Sequence, residues 1–173
     1  MKRREVERHV QEAIQGLLDD KLSINHTFRY LTDYANERNY TKLELKAVEK
    51  DAPERSSPQS VMVLRLIFLH DCNEIQIPNI FMPDCMKRER LGKRAIKAIH
   101  DAGATFGYEL FVVDMVQSFY ERLIVRGAVR AGHESVQITA NTDLEGDVGS
   151  RRHEIEEEAK GFDIFSFTRE SKT

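Results

Sequence analysis

The side chains best suited to chemistry lie together in Met82-Pro83-Asp84-Cys85-Met86-Lys87-Arg88-Glu89-Arg90-Leu91-Gly92-Lys93-Arg94. From Lys87 to Lys97 the chain places six basic residues against one acid. The stretch follows a predicted strand and opens a predicted helix, where free backbone N–H groups and the helix dipole attract phosphate. A cationic cluster at that point adds a fixed attractive field. Gly92 has no Cβ, so the backbone there can approach a ligand closely. This pattern points to a diphosphate-binding corner; the plainer reading is a solvated basic helix face. Neither G-x-x-x-x-G-K-[ST] nor a G-x-G-x-x-G after a strand occurs.

Other reactive side chains are more scattered. His70, Cys72, Cys85 and His100 are metal-type ligands, but their spacing matches no common zinc pattern, and no metal is expected. Buried cysteines and surface histidines account for them. Cys85, beside the basic turn, has a setting that lowers a thiol pKa, yet no His–Asp pair stands at a telling spacing. Ser118 lacks a G-x-S-x-G elbow.

Composition and periodicity outline the scaffold around these side chains. The chain has 173 residues, enough for one domain with a core of its own. Twenty-six Lys and Arg against 29 Asp and Glu leave a formal charge of −3, which argues against a whole-molecule grip on nucleic acid or anionic lipid. No apolar run reaches the roughly 20 residues that cross a bilayer. The charged start, Met-Lys-Arg-Arg-Glu, reads as no secretory signal, and two cysteines make no disulfide framework. A cytoplasmic globular protein with no membrane partner is expected.

Val6, Val10, Ile14, Leu17 and Leu18 form a helical stripe over residues 2–20, which could cap a sheet or close a homodimer. Phe28, Leu31 and Tyr34 suggest a second helix from about Ser23 to Asn39. Strands are predicted at 43–48, 61–69 and 74–81, with a proline-bearing loop over 51–60. Pro78 cannot donate to a ladder, so its strand must carry a bulge or an unpaired side. A helix over 90–102 ends at Gly103, a strand covers 108–115, a helix stops at Gly127, and a late strand covers 135–142. The fold class is therefore α/β (α+β): a mixed central sheet flanked by helices, in one domain with a core at about 40–145. The tail from about 150 to 173 is read as docking on that domain.

With these elements in order, the chain resembles the GNAT-type N-acetyltransferase superfamily over about residues 61–142. Lys87-Arg88-Glu89-Arg90-Leu91-Gly92 stands in the register of the family's acyl-CoA signature, with Arg90 in place of its first glycine. Downstream, Phe119-Tyr120-Glu121-Arg122-Leu123 looks like the family's Phe-Tyr-Glu-x-Leu helix. The resemblance implies an acetyl-CoA-dependent transferase acting on a primary amine of a small molecule or peptide by direct attack. It implies pantetheine contacts at Phe81 and Met82 and a diphosphate on the amides from Arg88 to Lys93, including Glu89, Arg90, Leu91 and Gly92, with Lys87 leading. Asp114 falls near the family's usual asparagine. Tyr120 would protonate the departing thiolate, and Glu74, Asn79 or Asp114 would orient a water toward the amine. The alternatives are an acyl-CoA-binding or regulatory protein without turnover and, further off, a nucleic-acid contact through the basic helix.

Overall fold

The computed structural model describes residues 2–22, 26–35, 39–49, 60–80 and 91–145. Helix α1 (Lys2–Leu22) turns Val6, Val10, Ile14 and Leu18 to one side, and all four are almost wholly buried in the core. Burying an aliphatic side chain contributes roughly 1.5–3 kcal/mol, so this stripe alone holds the helix down. It caps the protein's own sheet and packs along α2 (Leu91–Ala104), so it is not free to close a dimer.

The segment read as a second helix is a strand, β1 (His26–Ala35), which forms a hairpin with β2 (Tyr40–Glu49) in a register from His26↔Glu49 to Ala35↔Tyr40. The i, i+3, i+6 spacing of Phe28, Leu31 and Tyr34 fits a helix, but Phe28, Tyr30, Thr32 and Tyr34 also alternate as a strand. Leu31 decides between them: it is 48% exposed, while Tyr30 beside it packs on the core. Pairing across the hairpin outweighed a weak helical period.

Strands β3 (Ser60–Leu69) and β4 (Glu74–Ile80) continue the antiparallel meander, and β5 (Glu109–Val112) joins β4 in parallel. After α3 (Gln117–Val125), the two short strands β6 (Val129–Arg130) and β7 (Val136–Ile138) complete a seven-stranded sheet of order β1-β2-β3-β4-β5-β7-β6. The result is the expected mixed α/β fold with a helix ahead of the sheet. The predicted strands at 108–115 and 135–142 are cut to four and three residues.

Helix ends are set by glycine, with one correction. Gly103 does not end α2. It lies inside the last turn, where a Cβ would come within 2.7 Å of Ile75 Cδ1, so its bareness lets the helix lie on β4. The stop is Gly107, at φ 78°, with Tyr108 N–H donating to Gly103 O and Gly107 N–H to Ala104 O. Gly127, at φ 84°, ends α3 in the same way, through Ala128 N–H to Leu123 O. On the sheet face away from α1, Arg65 bonds Glu44 through both Nε and Nη2, with Lys42 and Lys46 beside it. Partial burial pushes the Glu44 carboxyl up, but Arg65 and Lys42 outweigh it and hold it below the usual carboxylate value.

Candidate functional site

The sheet loses its continuity at one place. The parallel register of β4 and β5 runs from Glu74↔Glu109 to Ile77↔Val112, and Val113 N–H donates to Ile77 O at 3.1 Å. Beyond this bond β4 continues, among the described residues, against β3 alone, with Asn79 opposite Arg65 and Ile80 opposite Leu64. Between Arg65↔Asn79 and Ile67↔Gln76 the register slips by one, so Ile77 and Pro78 together face Leu66. This is the bulge that Pro78 predicts, and a bulge bends a strand and re-aims the residues beyond it. On the β5 side Asp114 takes φ 53° and turns the chain away. The two parallel strands thus part just after Pro78, leaving β4 backbone without a neighbour on that side among the described residues.

Two helices flank the parting. Gly103, near the end of α2, lies over Ile75 near the start of β4, so the helix begins toward the far end of β4. Leu91, its first residue, is buried in the core, Gly92 and Lys93 are half-buried, and Arg94 is exposed. Phe81, Met82, Cys85, Lys87, Arg88, Glu89 and Arg90 lie outside the described residues, as do the 51–59 segment and the tail. Helix α3 begins soon after Asp114 and presents Tyr120, which is 9% exposed and belongs to the core cluster. Its side chain nonetheless lines a groove of about 470 Å³ formed with the turn between β6 and β7, and its hydroxyl makes no hydrogen bond among the described residues. Phe119 is half-buried beside it, with the Arg122 guanidinium 5.8 Å from its ring centre.

The predicted site residues are therefore only partly brought together. Asp114 and the backbone of Asn79 stand where the strands part, while the Asn79 side chain lies outside the described residues. Glu74 does not join them. It opens β4 at the other end of the parallel pair from Asp114 and Asn79, opposite Glu109 and hydrogen-bonded by Gln76 at 3.4 Å.

A second polar constellation, at the end of the sheet where Glu74 lies, was not anticipated. His70 is buried and Cys72 exposed, the reverse of what composition suggests. The His70 ring lies 3.0 Å from Glu7 Oε1 and 3.1 Å from Thr41 Oγ1 through Nε2, and 2.8 Å from the Tyr108 hydroxyl through Nδ1. A carboxylate only accepts, so Nε2 carries the proton toward Glu7 and Nδ1 accepts from Tyr108. Burial, opposed by the Glu7 carboxylate, holds the His70 pKa below the ordinary histidine value, and burial pushes the Tyr108 phenol up. Arg3 bonds Asn39 and pairs with Asp71 at 3.6 Å just outside, and Asn39 donates to Asp71 at 2.6 Å. The one sequence signal for this cluster is a histidine at the end of a nearly all-apolar strand, a position that buries it.

His100 is half-buried beside Asp101, which also pairs with Lys97 at 3.0 Å. Among the described residues no three His, Cys, Asp or Glu side chains cluster as metal ligands, and no helix is long and apolar enough to cross a membrane. No protein-family model, no curated protein and no solved structure matches the chain.

Proposed function

We propose that the protein is an acetyl-CoA-dependent N-acyltransferase that acts on a primary amine. The observation that supports this reading is the parting of β4 from β5 directly after the Pro78 bulge, with α3, which carries Tyr120, following β5 in the chain. Acetyl-CoA, when bound, supplies the acyl group activated as a thioester. The β4 backbone beyond Pro78, which has no neighbour on its β5 side among the described residues, has N–H groups suited to hold an extended pantetheine arm or a developing oxyanion. The start of α2 lies toward the same end of the sheet, and the sequence that leads into it is cationic, a combination that suits a diphosphate.

Holding amine and thioester together supplies most of the acceleration, since oriented reactants gain up to roughly 7–11 kcal/mol. The amine nitrogen forms its bond to the acyl carbon as the carbon–sulfur bond breaks. The Tyr120 hydroxyl gives its proton to the sulfur, and the proton lost by the nitrogen restores the phenol through solvent. A phenol can act as a general acid toward a departing thiolate. Tyr120 lines the groove, and its hydroxyl, with no hydrogen-bond partner among the described residues, is available for that role.

The test is a thermal-shift titration with CoA, acetyl-CoA and longer acyl-CoAs, followed by thiol-release assays on a panel of amines. Stabilisation by the acyl-CoAs with thiol release is the expected result. Stabilisation without release from any amine supports a binding protein instead, and no stabilisation removes the acyl-CoA reading altogether.

A further inference from the structure

The groove beside Tyr120 has a charge pattern that the transfer reaction alone does not require. Its polar lining comes from Gln117 and Glu121 on α3 and from Arg130 and His133 in the β6–β7 hairpin. Gln117 Nε2 donates to Glu121 Oε1 at 2.9 Å, so the carboxylate is held in place on the helix. Arg130 is exposed and makes no ion pair or side-chain hydrogen bond among the described residues. His133 also lines an adjoining cleft of about 460 Å³ that includes Asp114, which links the groove to the place where β4 and β5 part. Tyr120, nine-tenths buried, lines the same groove, and its hydroxyl has no hydrogen-bond partner among the described residues.

We infer that this groove is the acceptor site and that it takes a small zwitterionic amino acid, with Arg130 pairing to the substrate carboxylate and Glu121 receiving its ammonium. This rests on the acyl-transfer reading and names its substrate class. A fixed carboxylate and an uncommitted guanidinium in one groove complement a ligand that carries both charges. An amine with two or more positive charges meets Arg130 unfavourably, and a phosphorylated amine meets Glu121. A planar guanidinium also grips a carboxylate in bidentate fashion, which orients the neighbouring amine. The groove's free space of about 470 Å³ lies within the range of small-ligand pockets and has room for one amino acid. Before attack the ammonium gives one proton to solvent. The nitrogen then bonds to the acyl carbon, and the thiol leaves with the proton from Tyr120.

The experiment compares free amino acids with their carboxamides and with diamines in thiol-release assays, in the unaltered protein and in Arg130→Gln. The expected result is a preference of roughly 10- to 100-fold in kcat/KM for the free acid over its amide, the range for a charge-assisted pair. Arg130→Gln should abolish that preference while the KM for acetyl-CoA stays unchanged. Equal use of acid and amide, or a preference that survives Arg130→Gln, overturns the assignment. A parallel arm measures binding of the same acids and amides without any cofactor, by thermal shift. If no acyl-CoA binds, the transfer reading fails, and this arm still judges the groove: stabilisation by acids only, lost in Arg130→Gln, upholds it, and equal or absent stabilisation overturns it.

Discussion

The two ends of the β4–β5 pair make opposite use of polar groups. Where the strands begin, His70 and its neighbours are joined to one another: the imidazole reaches Glu7, Thr41 and Tyr108, and Arg3, Asn39 and Asp71 close the rim. Beyond the other end, on α3, Tyr120 is 9% exposed against 8% for His70, yet its hydroxyl has no hydrogen-bond partner among the described residues. Polar groups on buried side chains are normally satisfied, because leaving one unpaired and dry costs about 1–3 kcal/mol. A saturated cluster is built for stability, and a hydroxyl left open to a groove is available to a ligand. Burial alone therefore does not distinguish Tyr108 from Tyr120; hydrogen-bond satisfaction does.

The largest expected effect sharpens this contrast at the open end. Tyr120→Phe should lower turnover by roughly 10²-fold or more, the range for a lost general acid, with little change in acetyl-CoA affinity or in urea midpoint. Full activity in that variant would remove the hydroxyl from the reaction and make Tyr120 a core tyrosine like Tyr108. At the saturated end the outcome should invert. His70→Ala strips Glu7, Thr41 and Tyr108 of their shared partner and leaves a void, at a cost of about 2–4 kcal/mol in urea unfolding. Acyl-CoA binding by the fraction that stays folded should be unaffected. A loss of binding larger than the loss of stability would mean that the two ends are coupled.

The smallest effect is in pH. The folded His70 pKa lies below its ordinary value of 6.5, so the unfolded chain takes up the proton more readily than the folded one. Its contribution is therefore complete above about pH 6.5 and is lost as pH falls toward the folded value. The slope cannot exceed about 1.4 kcal/mol per pH unit for one proton. Glu7, Arg3 and Asp71 face the ring charge, and burial outweighs the two acids among them. Denaturation followed between pH 7 and 5 should show this decline in the unaltered protein and a flat response in His70→Gln. An equal slope in both would assign the pH dependence to groups other than His70.

The sequence was legible wherever one short window carried the information. The stripe on α1, the apolar run of β3, the bulge at Pro78 and the stop at Gly127 all stem from local pattern and backbone chemistry. It was misleading where two local readings competed. Residues 26–35 satisfied a helical period and a strand period at once, and only pairing with β2 chose between them. Gly103 and Gly107 both stand near the end of α2, and the approach of Ile75 assigned one to packing and the other to the turn. Of the candidate site, Tyr120 and Asp114 could be picked out in advance. Arg130 and His133 could not, because a groove exists only once α3 and the β6–β7 hairpin are side by side.

Amino-acid order alone set which segments are amphipathic, where β4 must bend and where α3 must stop, since these depend on neighbours within a few bonds. Which polar groups end up paired was left to the folded chain. The partners of His70 come from 29, 38 and 63 residues away. No window along the chain brings such groups within hydrogen-bonding range; the closing of the sheet does.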